Sequence, residues 1–140
     1  AHPVACAAAL AVQQVVRDEN LVEAAAVRGR QLESALKSRL GQHPHVGDIR
    51  GRGLFWALEL VEDRDTKAPF APELGVNGRV KMAAFARGLA CYPVGGTIDG
   101  LRGDHVLLAP PFIASSEEIE IIADRLAAGL DDAVRALPRA

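Results

Sequence analysis

Apolar positions recur at three- and four-residue steps over Val4, Ala7, Ala8, Ala11, Val12 and Val15, and predict an opening helix. Pro3 suits its first turn, where a missing N–H costs nothing. The face is built of small residues, so another backbone can come close. Arg17-Asp18-Glu19-Asn20 interrupts the pattern. From Leu21 it resumes through Val22, Ala25, Ala26, Gly29, Leu32, Leu36 and Leu40, with Arg28, Arg30, Glu33 and Lys37 mostly on the other side and Gly41 as the stop.

The period then changes. Val46–Arg50 reads as a short strand, Gly51-Arg52-Gly53 as a bend, and Leu54–Val61 as a longer strand whose nearly unbroken apolar run suits cover on both faces or burial beneath helices. Glu62 to Gly78 carries charges, Pro69, Pro72 and Gly75 without a period, and predicts a long surface loop. A third helix is expected over Asn77–Ala86, with Val80, Ala83, Ala84 and Met82 as inward candidates and Gly88 past its end. Leu89–Val94 and Val106–Ala109 read as strands, the second stopped by Pro110-Pro111. Between them Gly95–Asp104 is a Gly-rich polar loop. Ser115 and Glu118 have capping-box spacing, and Ile119, Ile122, Ala123, Leu126, Leu130, Ala133, Val134 and Leu137 continue one apolar face behind them. Two helices, two strands, a helix, two strands and a helix predict an α+β fold, with helices on one side of a small, mostly antiparallel sheet.

Composition narrows the function classes. Of 140 residues, 49% are hydrophobic and 24% charged, which excludes a disordered tail and a membrane span. Sixteen Lys and Arg against eighteen Asp and Glu give a net charge of −2, with no basic block for nucleic acid or acidic lipid. Cys6 and Cys91 stand far apart, outside any metal-ligand spacing, so cytoplasm is the expected compartment. The start shows no secretory pattern.

Few residues invite chemistry. His2 beside Pro3 reads as a helix entry rather than a base. His43 and His45 flank Pro44 in a spacing that would clip a metal, yet two ligands make an incomplete site, and a solvated loop is the expectation. Arg50-Gly51-Arg52-Gly53 has the residues of a phosphate cradle but no helix N-terminus after it, which favours a tight bend with one Arg paired to Asp48 or Glu59. Cys91 has no local base and reads as an inert core thiol. Ser115 and Ser116 lack a nucleophile elbow and read as caps. Arg102, on a flexible Gly-flanked loop between two strands, has a setting from which a guanidinium can swing toward a carboxylate ligand, although composition alone favours an ordinary loop Arg. No set of residues combines nucleophile, base and orienting partner. Lys37, Lys67 and Lys81 lie in periodic or loop settings unsuited to a Schiff base.

Three segments in register resemble landmarks of class III pyridoxal-phosphate aminotransferases: His2–Leu10, Val46–Leu60 and Gly103–Phe112. The resemblance covers all 140 residues and corresponds to the C-terminal portion of such an enzyme, of fold type I. It implies that residues 1–40 are a helical connection to a missing large domain and that 41–140 form the small C-terminal domain. The Schiff-base Lys, the Asp that pairs with the pyridinium nitrogen and the phosphate contacts would then lie upstream, with no catalytic or cofactor-binding residue here. Pyridoxal 5'-phosphate is accordingly expected in the full-length parent and not in this piece, and the parent is expected to be a homodimer. Leu107 stands where ornithine-type members carry an Arg for the α-carboxylate, and an apolar side chain cannot replace that fork. Amine:pyruvate-type relatives use an Arg on the preceding loop, which Arg102 matches. The resemblance thus implies amino transfer from an amine or ω-amino acid to an oxo acid whose carboxylate Arg102 receives. A free-standing α+β binding or dimerisation module is the alternative.

Overall fold

Asn20 divides the opening helical stretch: its left-handed backbone, φ 50° and ψ 42°, separates α1 (Pro3–Asp18) from α2 (Leu21–Leu40). A helix cannot run through that conformation, which Asn tolerates better than most residues. The computed structural model describes residues 2–138. After the two helices come β1 (Val46–Arg52), β2 (Phe55–Leu60), a 3₁₀ turn (Pro72–Leu74), α3 (Val76–Ala86), β3 (Tyr92–Gly95), β4 (Asp104–Leu108) and α4 (Ser116–Arg135).

The strands form one antiparallel sheet in the order β1-β2-β4-β3, as the α+β reading expects. Trp56, Leu58 and Leu60 of β2 pair with Leu108, Val106 and Asp104 of β4, so these six share a face. All six are buried. Leu32, Leu36 and Leu40 of α2, Val80 and Ala84 of α3, and Ile119, Leu126 and Leu130 of α4 cover that face. Truncating one such Leu to Ala costs about 2–5 kcal/mol. The opposite face carries Ala57, Glu59, His105 and Leu107, which are half-buried. The apolar run of β2 is therefore covered by helices on one side only.

Two close approaches fix the helices. A Cβ on Gly29 of α2 would collide with the backbone of Gly53, so the helix meets the β1–β2 turn directly. On α4, a Cβ at Gly129 would stand 3.0 Å from the backbone of Ala84 in α3. The turn consists of Gly53 and Leu54, since Arg52 pairs with Phe55; Gly53 has φ +56°, as the first position of a type II′ hairpin requires.

Several expectations change. Gly51 lies within β1, opposite Trp56, and not in a bend. Helix α3 begins at Val76, and Met82 points to solvent at 67% exposure because Val80 and Ala84 face α4. Segment 62–75 is ordered locally, with Asp63 bridging Ala68, Asp63 Oδ1 accepting from the N–H and hydroxyl of Thr66, and Phe70 buried. Helix α1 has no buried residue, so its small-residue face is left uncovered among the described residues. No described helix is long and apolar enough to cross a membrane.

Candidate functional site

The loop between β3 and β4 carries Arg102. It is tightly built: Thr97 N–H donates to Gly103 O at 3.2 Å, Ile98 N–H to Arg102 O at 3.0 Å, and Gly100 N–H to Gly96 O at 3.0 Å. Asp99 organises the tip. Its Oδ1 accepts from the backbone N–H of Leu101 at 3.0 Å and of Arg102 at 2.7 Å, and its Oδ2 accepts from Arg102 Nε at 2.7 Å. The N–H and then the guanidinium of Arg102, with the N–H of Leu101, hold the Asp99 carboxyl down to about 2. The Gly-rich loop is thus hydrogen-bonded internally. Arg102 is 56% exposed, and its Nη groups make no hydrogen bond among the described residues. Sequence reasoning named Arg102 but missed Asp99 as its partner. The signal was there, because an Asp followed by Gly two residues before the next polar side chain is a strong local-turn pattern.

At the far end of the same hairpin lies an apolar hollow of about 510 Å³. Phe55, Cys91, Tyr92, Leu107, Pro110 and Pro111 form its walls. Tyr92 and Leu107 are cross-strand partners on the open sheet face, whereas the Arg102 loop joins the Gly95–Asp104 end. The structure therefore does not bring Arg102 to this hollow. Phe55 is 58% and Tyr92 66% exposed, an apolar lining that individual sequence positions had not signalled. Burial pushes the Cys91 thiol up, which suits an unreactive role.

The remaining candidates resolve into structural parts. Arg50 Nη1 donates to Asp48 Oδ2 at 2.9 Å and Glu59 Oε2 at 3.0 Å, so both expected partners hold it on the open face. Beside them His105 has a buried Nδ1 with no partner among the described residues. His43 and His45 are half-buried and not freely solvated: His43 is 12% exposed with Nε2 3.3 Å from Asp131 Oδ1, and the His45 ring lies tilted against Phe70. Among the described residues no group of three or more His, Cys, Asp and Glu is arranged to hold a metal. Ser115 caps α4 in a complete capping box, while the Ser116 hydroxyl donates to Gln31 Oε1 and ties α4 to α2. His2 sits at the N-cap position of α1 without a side-chain cap bond. Lys37, Lys67 and Lys81 are all exposed, and Lys37 is paired with Glu33 at 2.6 Å. These lysines do not fit a Schiff-base site, which needs an amine sheltered from water.

The family model for aminotransferase class-III matches residues 1–130. An uncharacterized aminotransferase of Schizosaccharomyces pombe is 49% identical over 138 residues, covering 99% of this chain and 30% of that protein. One of Bacillus subtilis is 37% identical over 120 residues, covering 86% of this chain and 27% of its own. Among solved structures, a pyridoxal-phosphate-bound aminotransferase mutant from Vibrio fluvialis superimposes with a TM-score of 0.87 at 34% identity, covering 98% of this chain and 28% of that one. An (S)-enantioselective omega-transaminase from Thermomicrobium roseum gives a TM-score of 0.84 at 34% identity, covering 95% and 28%. The chain spans less than a third of each of these relatives. With the α+β fold and the family model in agreement, the chain belongs to the class III aminotransferases.

Proposed function

We propose that the chain is the C-terminal domain of a full-length cytoplasmic, homodimeric class III aminotransferase that moves an amino group from an amine or ω-amino acid to an oxo acid such as pyruvate. Residues 1–40 connect it to the large domain, and 41–140 form one wall of the substrate site. Pyridoxal 5'-phosphate supplies the amino-carrying chemistry of such an enzyme. Because Lys37, Lys67 and Lys81 are exposed, the reading assigns the cofactor to residues outside this chain. It is supported by omega-transaminase neighbours across nearly the whole chain and by the absence of a fork at Leu107.

The observation that carries the substrate reading is the guanidinium of Arg102. It stands exposed on an internally hydrogen-bonded loop, donates among the described residues through Nε alone, and keeps its Nη donors available for a carboxylate. In the full-length enzyme, Arg102→Ala should raise the KM for pyruvate about tenfold or more, the weight of a charged hydrogen-bonded pair, while changing the KM for a carboxylate-free amine little. Equal effects on both substrates would overturn the assignment.

A further inference from the structure

We infer that Asp99 is a positioning residue: it grips the Arg102 guanidinium by its Nε edge and leaves the Nη1–Nη2 edge for the carboxylate of the oxo acid. The inference rests on the substrate reading of Arg102 given above.

A guanidinium offers five N–H donors in a plane, and a carboxylate engages it in parallel across one edge at a time. Asp99 has already taken the Nε position at 2.7 Å. The edge that remains is the one formed by the two Nη groups. The side chain is also fixed at its base, because Arg102 N–H donates to Asp99 Oδ1 and Arg102 O accepts from Ile98 N–H. An unrestrained Arg must surrender its rotamer freedom when it binds a ligand, and restraint beforehand reduces that loss. Both oxygens of Asp99 are occupied within the loop, so the carboxylate that does the gripping is held in register with the backbone that carries Arg102. The low value of the Asp99 carboxyl keeps it ionised throughout the neutral range. Exposed ion pairs contribute little to folding, so a pair built this carefully on an exposed tip has more to offer orientation than stability.

The test uses the full-length enzyme and the variant Asp99→Asn. Asn keeps an Oδ1 for the two backbone N–H groups but puts an NH₂ where Arg102 Nε needs an acceptor, so the turn survives and the grip does not. The KM for pyruvate and the inhibition constant of propionate, a carboxylate that cannot accept an amino group, should both rise about three- to fivefold, the scale of one exposed charged contact. The KM for a carboxylate-free amine and kcat at saturation should stay at the parent values. In an Arg102→Ala background, Asp99→Asn should add nothing. If Arg102→Ala raises both constants and Asp99→Asn does not, the positioning role alone fails. If Arg102→Ala leaves them unchanged, the substrate reading fails and takes this inference with it. An equal rise from Asp99→Asn in both backgrounds would mean that the loop backbone matters and the grip does not.

Discussion

The carboxylate of Asp104 at the head of β4 accepts a hydrogen bond at 3.2 Å from the backbone N–H of Asn77, in the first turn of α3. The N-cap position of α3 is Gly75, which has no side chain to cap with, so a residue 29 positions later in the chain does the capping. Asp104 is 8% exposed, and burial raises its carboxyl despite the Asn77 bond. A raised acid favours the folded chain when protonated: its contribution is full below the ordinary carboxylate value and is lost as pH rises through the raised one. Asp104→Ala should cost about 1 kcal/mol through the lost cap. Asp104→Asn keeps an acceptor without the buried charge, so its melting temperature relative to the parent should improve from acid toward neutral pH. A pH-independent difference would refute that account.

Gly29→Ala should destabilise the chain by about 1–3 kcal/mol, because its Cβ would meet the carbonyl of Gly53 and backbone cannot step aside cheaply. Gly78→Ala is the matched control. That position is helical with nothing within 4 Å of an added Cβ, so it should gain about 0.5–1 kcal/mol from helix propensity. Urea unfolding of the two variants would show shifts of opposite sign.

His43 should make the fold sensitive to acid. Its Nδ1 accepts from His45 N–H at 3.1 Å, which leaves the proton on Nε2, toward Asp131. Burial lowers the His43 value first, with His45 and Arg64 acting the same way and Asp131 opposing them. A lowered histidine stabilises the fold above its unfolded value of 6.5, and that stability is lost as pH falls through the folded one. The urea midpoint of the parent should therefore drop below about pH 6.5 more steeply than that of His43→Gln. Parallel profiles would exclude the histidine as the source.

Ser115→Ala should cost about 1 kcal/mol, since Ser115 Oγ accepts from Glu118 N–H at 3.1 Å and Glu118 Oε2 accepts from Ser115 N–H at 2.8 Å. Glu118→Gln preserves both bonds in geometry and should cost less. Thermal melts of the pair would check the order.

Local chemistry was legible and distant chemistry was not. The Ser115–Glu118 box, the apolar face of α4 and the hairpin around Gly53 depend on residues a few positions apart. The turn was misplaced by two residues because either Gly51 or Gly53 can bend a chain, and only pairing with Trp56 shows that Gly51 stays in the ladder. Met82 was ambiguous because α3 is apolar nearly all round, and its inward side is chosen by Gly129 of α4 docking on Ala84. His43 looked solvated because Asp131, its partner from α4, lies 88 positions away from its loop. At the candidate site, Arg102 stood out through its flanking glycines. The role of Asp99 was hidden in plain sequence, since an Asp at i−3 can serve the backbone, the guanidinium or, as here, both.

The order β1-β2-β4-β3 leaves two outer strands, and neither invites a neighbour. On one side β3 has only four residues and includes Pro93, which cannot donate to an added ladder. On the other, β1 carries Asp48, Arg50 and Arg52 in alternation, with a register irregularity between Val46 and Asp48. A polypeptide meeting this domain in a crowded solution finds no free row of amides flat enough to stack on, so growth into fibrils by edge-on addition is closed off at both margins.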